Sequence, residues 1–450
     1  MKPLQRVAFI GNHLPRRCGI ATFTHDLQRA VATARPGLET CVVAMTEPGG
    51  SYAYPDPVRL EVRDNEPSDY AQAAAALNRG QFDAVSLQHE YGIFGGEAGG
   101  NIIELLSRLD MPIVTTLHTV LRQPTPAQRA VMRNIADASA TLIVMADKGR
   151  ELLQSVHDVP AGKIRVIPHG IPDFPFREPE HAKIKLGFHG KTVILTFGLL
   201  SPSKGIETVI DAMPGIIRSC PNAVYVILGA THPNLVRDQG ETYRERLTAR
   251  AEDLGVADHV VFINQFVDQP KLLEFISMCD LYVTPYLNEA QMTSGTLAYS
   301  FGLGKAIVST PYWHAKELLA DGRGILVPFG DANAIGAEIT SLLTNDPRRD
   351  AMRKRAYGSS RSMIWAQTAE RYLTAFGRAS DAAIPEQGIP DLWSTVRRPT
   401  PAILARNAAR RLSTRESMLL PGQAVHSAPP HGRTMKGPSH KHADDTRMDR

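Results

Sequence analysis

Residues 280–310 read DLYVTPYLNEAQMTSGTLAYSFGLGKAIVST, and their order of chemistry sets the fold class. An apolar run, Leu281-Tyr282-Val283, has the length of a buried strand. A polar stretch follows, then a run of small residues suited to a helix, then a second apolar run at Ala306-Ile307-Val308. Strand, loop, helix and strand in that order make a parallel unit. Glu289, Thr293 and Ser294 therefore fall at the carboxyl end of a strand, just before a helix that starts at Gly295. In open α/β sheets that crevice binds ligands. The unpaired N–H groups of a helix start suit an anion such as a diphosphate.

The same alternation extends in both directions. Short apolar runs at 7–10, 40–44, 84–88, 113–117, 141–144 and 164–167 read as buried parallel strands. Amphipathic segments at 23–34, 70–77, 102–109 and 127–135 lie between them. The pattern breaks at Pro172-Asp173-Phe174-Pro175-Phe176-Arg177-Glu178-Pro179, where proline cannot continue a helix. A second series follows at 193–197, 224–228, 260–263, 281–284, 306–309 and 324–327. The expected organisation is α/β: two Rossmann-like, doubly wound domains facing a cleft. The first spans 1–175 and the second 191–360, with a connector at 176–190. A helix at 361–380 and a tail at 381–450 complete the chain.

Composition narrows the function classes. The chain has 450 residues, 43% hydrophobic and 21% charged, which is globular and too long for one core. A net charge of +4 does not point to nucleic acid. Cys18, Cys41, Cys220 and Cys279 form no C-x-x-C pair, so no disulfide framework or zinc site is expected, and a reducing cytoplasm fits. The first apolar run is too brief for a signal-peptide core, and none is long enough to span a membrane. From Asp391 onward the chain holds 11 Lys/Arg against 5 Asp/Glu, which leaves the rest slightly acidic. This tail is expected to be disordered, with a basic tether to a membrane surface as its functional alternative.

Several strand-end loops carry chemistry. After the first strand, His13-Leu14-Pro15-Arg16-Arg17-Cys18-Gly19 leads into a helix, with Gly19 read as a site of close approach or positive φ. His89 and Glu90 open a glycine-rich loop after the 84–88 strand, and His118 follows the next strand. Two histidines leaving adjacent strands are expected on one rim. In the second series, Phe197-Gly198-Leu199-Leu200-Ser201-Pro202-Ser203-Lys204-Gly205 sets an ammonium beside a helix start. The spacing is not that of a Walker motif.

Taken in order, these pieces resemble family 4 of the retaining glycosyltransferases, which have the two-domain GT-B fold. The resemblance rests on Cys18-Gly19-Ile20, His118, Val166-Ile167-Pro168-His169-Gly170-Ile171, Gly198, Lys204-Gly205, Glu289, Gly302 and Glu317 with Gly324–Pro328. Trp365, Glu370, Arg371 and Tyr372 resemble the helix that crosses back to the first domain. A mannosyltransferase-like branch serving polysaccharide assembly is the nearest match.

The resemblance implies a nucleotide-sugar donor on the second domain, met by Gly198, Lys204, Gly205, Gln265, Glu289, Thr293, Ser294 and Gly295. His118, Glu289 and Lys204 would be catalytic. Arg16, Arg17, Gly19, His89 and Glu90 would face a glycan or lipid-linked acceptor or hold a phosphate. No metal or other cofactor is expected beyond the co-substrate, and any membrane contact would be peripheral, at the inner face. Two departures stand out: Leu199 replaces an arginine, and Leu297 replaces the second of two glutamates eight positions apart. They keep two rival readings open, a non-catalytic sugar-nucleotide-binding subunit and a GT-B-type epimerase.

Overall fold

A computed structural model describes residues 4–381. The disorder and membrane tether expected of the tail concern residues outside that range.

The chain builds two wholly parallel sheets. The first contains β1 (Arg6–Gly11), β2 (Glu39–Thr46), β3 (Val58–Arg63), β4 (Ala84–His89), β5 (Ile113–Leu117), β6 (Ser139–Val144) and β7 (Ile164–Val166). The second contains β8 (Thr192–Phe197), β9 (Ala223–Leu228), β10 (Val260–Ile263), β11 (Leu281–Thr284), β12 (Ala306–Ser309) and β13 (Ile325–Leu326). Helices cover both faces, so the strands are buried on both sides and read as unbroken apolar runs. β3 is the exception. Its sequence, VRLEVR, alternates charge with apolar residues because it is an edge strand with one wet face. A search for buried runs passes over it for that reason.

The strand orders are β3-β2-β1-β4-β5-β6-β7 and β10-β9-β8-β11-β12-β13. In each sheet the winding reverses once, between β1 and β4 and between β8 and β11. Ligand crevices open at the carboxyl ends of such pairs. The loops of Gly19, His89, His118, Lys204 and Glu289 leave one of these four strands or the neighbouring β5; those of His169 and Gln265 do not.

The proline-rich segment after β7 is strapped to the second lobe. Tyr357 Oη donates to the Phe174 carbonyl at 3.0 Å, and Arg353 bridges to Glu178 at 2.8 Å. A helix, Glu180–Leu186, begins directly after Pro179, inside the stretch read as a plain connector. Proline at a helix start costs no hydrogen bond, which is why the break ends there. The last described helix, Trp365–Asp381, returns to the first sheet. Ala369, Tyr372, Leu373 and Phe376 form its apolar stripe and join the Phe9–Leu27 core. Tyr372 Oη meets Thr116 Oγ1 at 2.9 Å. Tyr372 and Phe376 are fully buried, and the phenylalanine alone contributes about 1.5–3 kcal/mol by burial.

Candidate active site

At the second-lobe reversal, glycines bring the β8 and β11 loops together. Gly205 has φ +63°, and a Cβ there would stand 2.2 Å from the Pro285 carbonyl oxygen. The Leu287 amide donates to the Ser203 carbonyl at 3.0 Å, closing the same contact. The clamp sets Lys204 over Tyr286, with Nζ 3.9 Å from the ring centroid. Tyr286 is buried and stacked on Tyr312 at 5.1 Å, and its hydroxyl meets Thr296 Oγ1 at 2.9 Å. Burial would push the Tyr286 phenol up; the Lys204 ammonium and its hydroxyl partners bring it below its ordinary value. Gly198 has φ +123° and lies against Thr296, where a Cβ would meet Cγ2 at 3.2 Å.

The Gly295–Gly302 helix starts beside this group. Ser294 Oγ accepts from the Leu297 amide at 3.3 Å, and the Ser294 amide donates to His314 Nδ1 at 2.9 Å. That bond leaves the His314 proton on Nε2, and burial pushes the ring down to about 3. The N–H groups of a first helical turn lack intrahelical partners and carry partial positive charge. Thr293 Oγ1 is buried with no protein partner. Leu297 is fully buried in the second-lobe core and offers no polar atom. Gln265 is exposed beyond β10, the edge strand, two strands away from β8.

At the first-lobe reversal the arrangement differs from expectation in three places. Gly19 has no positive φ: it is the first residue of the Gly19–Ala34 helix, capped by Cys18 Sγ, which accepts from the Ala21 amide at 3.3 Å. Its surroundings are open instead, since a Cβ would meet nothing within 4 Å. Arg16 is engaged through Nε with Glu47 at 3.1 Å and through Nη1 with Asn12 Oδ1 at 3.0 Å and the Met45 carbonyl at 3.2 Å. It braces the loop, whereas Arg17 is exposed.

The third difference is that the two histidines expected on one rim separate in depth. His89 is wholly buried between Tyr91 and Phe94, both ring nitrogens without a protein partner, and burial pushes it down to about 3. His118 is partly exposed, and its Nε2 meets Gln88 Oε1 at 3.2 Å. With the amide in this orientation Gln88 Nε2 donates to Ser86 Oγ at 3.1 Å and His118 Nε2 is the donor to Oε1. Nδ1 then keeps a lone pair. Burial pushes His118 down to about 3, with His169 and His89 adding to the shift, so the ring is neutral at ordinary pH. Glu90 accepts from Thr119 Oγ1 at 2.6 Å and from the Tyr91 amide at 3.0 Å. Burial raises its carboxyl.

The lobes meet along a polar and aromatic seam. Tyr299 Oη donates to Asp26 Oδ2 at 2.5 Å, and Gln269 Nε2 reaches the same oxygen at 3.3 Å. Burial pushes the Asp26 carboxyl up to about 6 against the Tyr299 bond. Phe23 packs edge-on to His118, His169 and Trp365 at 4.9, 5.0 and 5.5 Å. His169 Nδ1 donates to the Gly170 carbonyl at 2.7 Å, so its Nε2 lone pair lies toward Gly295, where a Cβ would stand 3.1 Å away. Glu317 accepts the Asp147 and Lys148 amides at 2.8 Å each, capping the Asp147–His157 helix across the seam.

Glu289 is partly exposed and paired with Lys316 at 2.8 Å, which holds its carboxyl below the usual range. In this conformation its carboxylate is held by a lysine and not turned toward Lys204. A cavity of about 800 Å³ is lined by Lys148, Pro168, His314, Glu317, Arg323 and Ser362. It does not include Lys204 or His118. The structure thus groups Gly198, Lys204, Gly205, Ser294 and Gly295 and sets His118 on the facing lobe; Gln265, Glu289 and Arg16 stand apart. Sequence reasoning passed over His314, Tyr286 and Asp26. The strand-end rule that selects His118 also reaches His314, which follows β12. Asp26 lies inside a helix and carries no such signal.

Two family models match in tandem. Glycosyltransferase Family 4 matches residues 18–173, and Glycosyl transferases group 1 matches 178–359. A phosphatidyl-myo-inositol mannosyltransferase of Mycolicibacterium smegmatis is 24% identical over 380 residues, covering 81% of this chain and 92% of the relative. A D-inositol 3-phosphate glycosyltransferase of Stackebrandtia nassauensis is 24% identical over 328 residues, covering 68% and 71%. Among solved structures, sucrose-phosphate synthase from Thermosynechococcus elongatus superposes with a TM-score of 0.70 at 18% identity, covering 84% of this chain and all of that one. Anabaena HepE in complex with UDP and glucose gives 0.67 at 16% identity, covering 83% and 100%. Among the described residues no helix is long and apolar enough to cross a membrane. The chain belongs to glycosyltransferase family 4 and is a glycosyltransferase of GT-B fold.

Proposed function

We propose that the protein is a retaining hexosyltransferase that moves a hexose, with mannose as first candidate, from a nucleoside diphosphate sugar to a glycan or lipid-linked acceptor in polysaccharide assembly. The observation that carries this reading is Lys204, an ammonium held on an aromatic face beside a helix start, with no ion-pair partner among the described residues. Mannosyltransferases among the relatives support the sugar, and HepE bound to UDP supports the donor class.

In this reading the leaving diphosphate gathers charge that Lys204 and the first-turn N–H groups of the Gly295–Gly302 helix meet without a metal or other cofactor. Neutral His118 accepts a hydrogen bond from a sugar hydroxyl through Nδ1. Glu289 reaches the sugar after releasing Lys316, and lobe closure excludes water. The acceptor lies against the first lobe near Arg17, Gly19 and the 89–96 loop. The reaction runs in the cytoplasm, at the inner membrane face where the acceptor is lipid-linked.

Product analysis with GDP-, UDP- and ADP-hexoses, with and without glycan and polyprenyl-linked acceptors, is the test. The expected outcome is acceptor-dependent product with the donor's anomeric configuration, in the presence of EDTA. Product without acceptor would mean an epimerase, and no product with any pair would mean a non-catalytic subunit.

A further inference from the structure

Where the family resemblance leads one to expect an arginine at position 199 the chain has a leucine, so of the two cations expected on this loop only Lys204 is present. A carboxylate beside this lysine would cancel part of its charge. Lys204 has no carboxylate partner among the described residues; it lies over the face of Tyr286 at 3.9 Å. An aromatic face attracts an ammonium through its quadrupole and leaves the formal charge intact. The ring is fixed on every side. Tyr312 stacks beneath it, Thr296 Oγ1 holds its hydroxyl, and Ser294 Oγ lies 3.1 Å from Thr296 Oγ1. The Gly205–Pro285 contact sets the spacing between the two loops. One rigid chain thus runs from the lysine to the cap of the Gly295–Gly302 helix.

We propose that Tyr286 is a positioning residue that holds Lys204 as an uncompensated cation for the donor's diphosphate, in place of a second cation at 199. The inference rests on the donor reading above. Tyr286 acts through Lys204 and touches no reacting atom. Its ring face carries the larger share of the effect and its hydroxyl, which also meets the ammonium, fixes the ring, so the face and the hydroxyl contribute unequally.

Calorimetric titration of the full-length protein with UDP, GDP and ADP, each beside its free nucleoside, tests this. With the diphosphate that binds best, Tyr286→Leu is expected to weaken binding about tenfold and Tyr286→Phe about threefold or less. Affinity for the free nucleoside should not change. Lys204→Ala combined with Tyr286→Leu should bind no more weakly than Lys204→Ala alone. Because Tyr286 is buried, a second measurement needs no variant: the Lys204 ε-methylene protons of the wild type should be shifted upfield by the ring current and should move when the diphosphate is added. Diphosphate binding that depends on Lys204 but is unchanged in a folded Tyr286→Leu protein, additive losses in the double variant, or an ordinary Lys204 shift would each overturn the proposal and leave the donor reading standing. A wild type that binds none of the three diphosphates would overturn both.

Discussion

The rims on either side of the cleft handle polarity in opposite ways. On the first lobe, His89 and His118 are neutral, sunk among aromatic rings or tied to amides; of the two arginines expected to meet the acceptor or a phosphate, Arg16 is engaged by Glu47 and two oxygens and Arg17 is exposed. On the second lobe, Lys204 keeps its charge over Tyr286, with a helix start beside it. Neutral donors and acceptors suit hydroxyls, whose recognition depends on direction. A cation and a helix terminus suit a phosphate, which needs charge. The difference is a division of chemistry between the lobes: neutral, directional groups on one and a cation beside a helix start on the other.

The sharpest way to break this comparison is to remove the charge. Lys204→Ala is expected to lower turnover about 10²–10³-fold, as loss of a charge-stabilising donor does, while the thermal midpoint moves little. A loss of less than tenfold in an active preparation would mean that charge is supplied elsewhere.

An acid titration sharpens the first-lobe side. His89 and His118 are pushed down to about 3, against 6.5 when unfolded. The unfolded chain therefore takes up protons that the folded one refuses, and stability falls as pH drops below about 6.5. Asp26 has the opposite sign: its folded value is raised to about 6, so its contribution is complete below about 3.8 and is lost as pH rises through 6. His89→Phe should flatten the acid slope of urea stability between pH 6 and 4.5 by about 1.4 kcal/mol per pH unit, because His89 is buried with no partner. An unchanged slope would show that His89 is reached by water in the folded state.

The smallest effect concerns the exposed pair. Lys316→Ala should change stability by less than about 1 kcal/mol, as for other surface ion pairs. If Glu289 must leave Lys316 to reach the sugar, the same variant should lower the donor KM or raise kcat in steady-state assays. A fall in kcat would mean that the ion pair is the active arrangement.

Much of the site was legible because parallel sheets place function by topology. Among the described residues most strands are near-continuous apolar runs, and a strand end followed by Gly, His or Ser can be read from the chain. The glycine pair at Gly198 and Gly205 entered through the family resemblance, and the structure supplies its reason, positive φ at both and a close approach at Gly205. Gly19 was misjudged because a glycine before a helix and a glycine beginning one look alike in sequence. β3 escaped because an edge strand does not have to be apolar on both faces.

The sequence by itself determined two parallel α/β lobes, their strand ends, and a lysine beside a helix start, because local pattern and strand burial specify these within a few residues. Only the tertiary structure decided that Lys204 rests on Tyr286, that Glu289 is held by Lys316, and that Asp26 meets Tyr299 across 273 residues. Charge state and partnership depend on which distant side chains share a small volume. That is fixed when the lobes pack, and no local pattern encodes it.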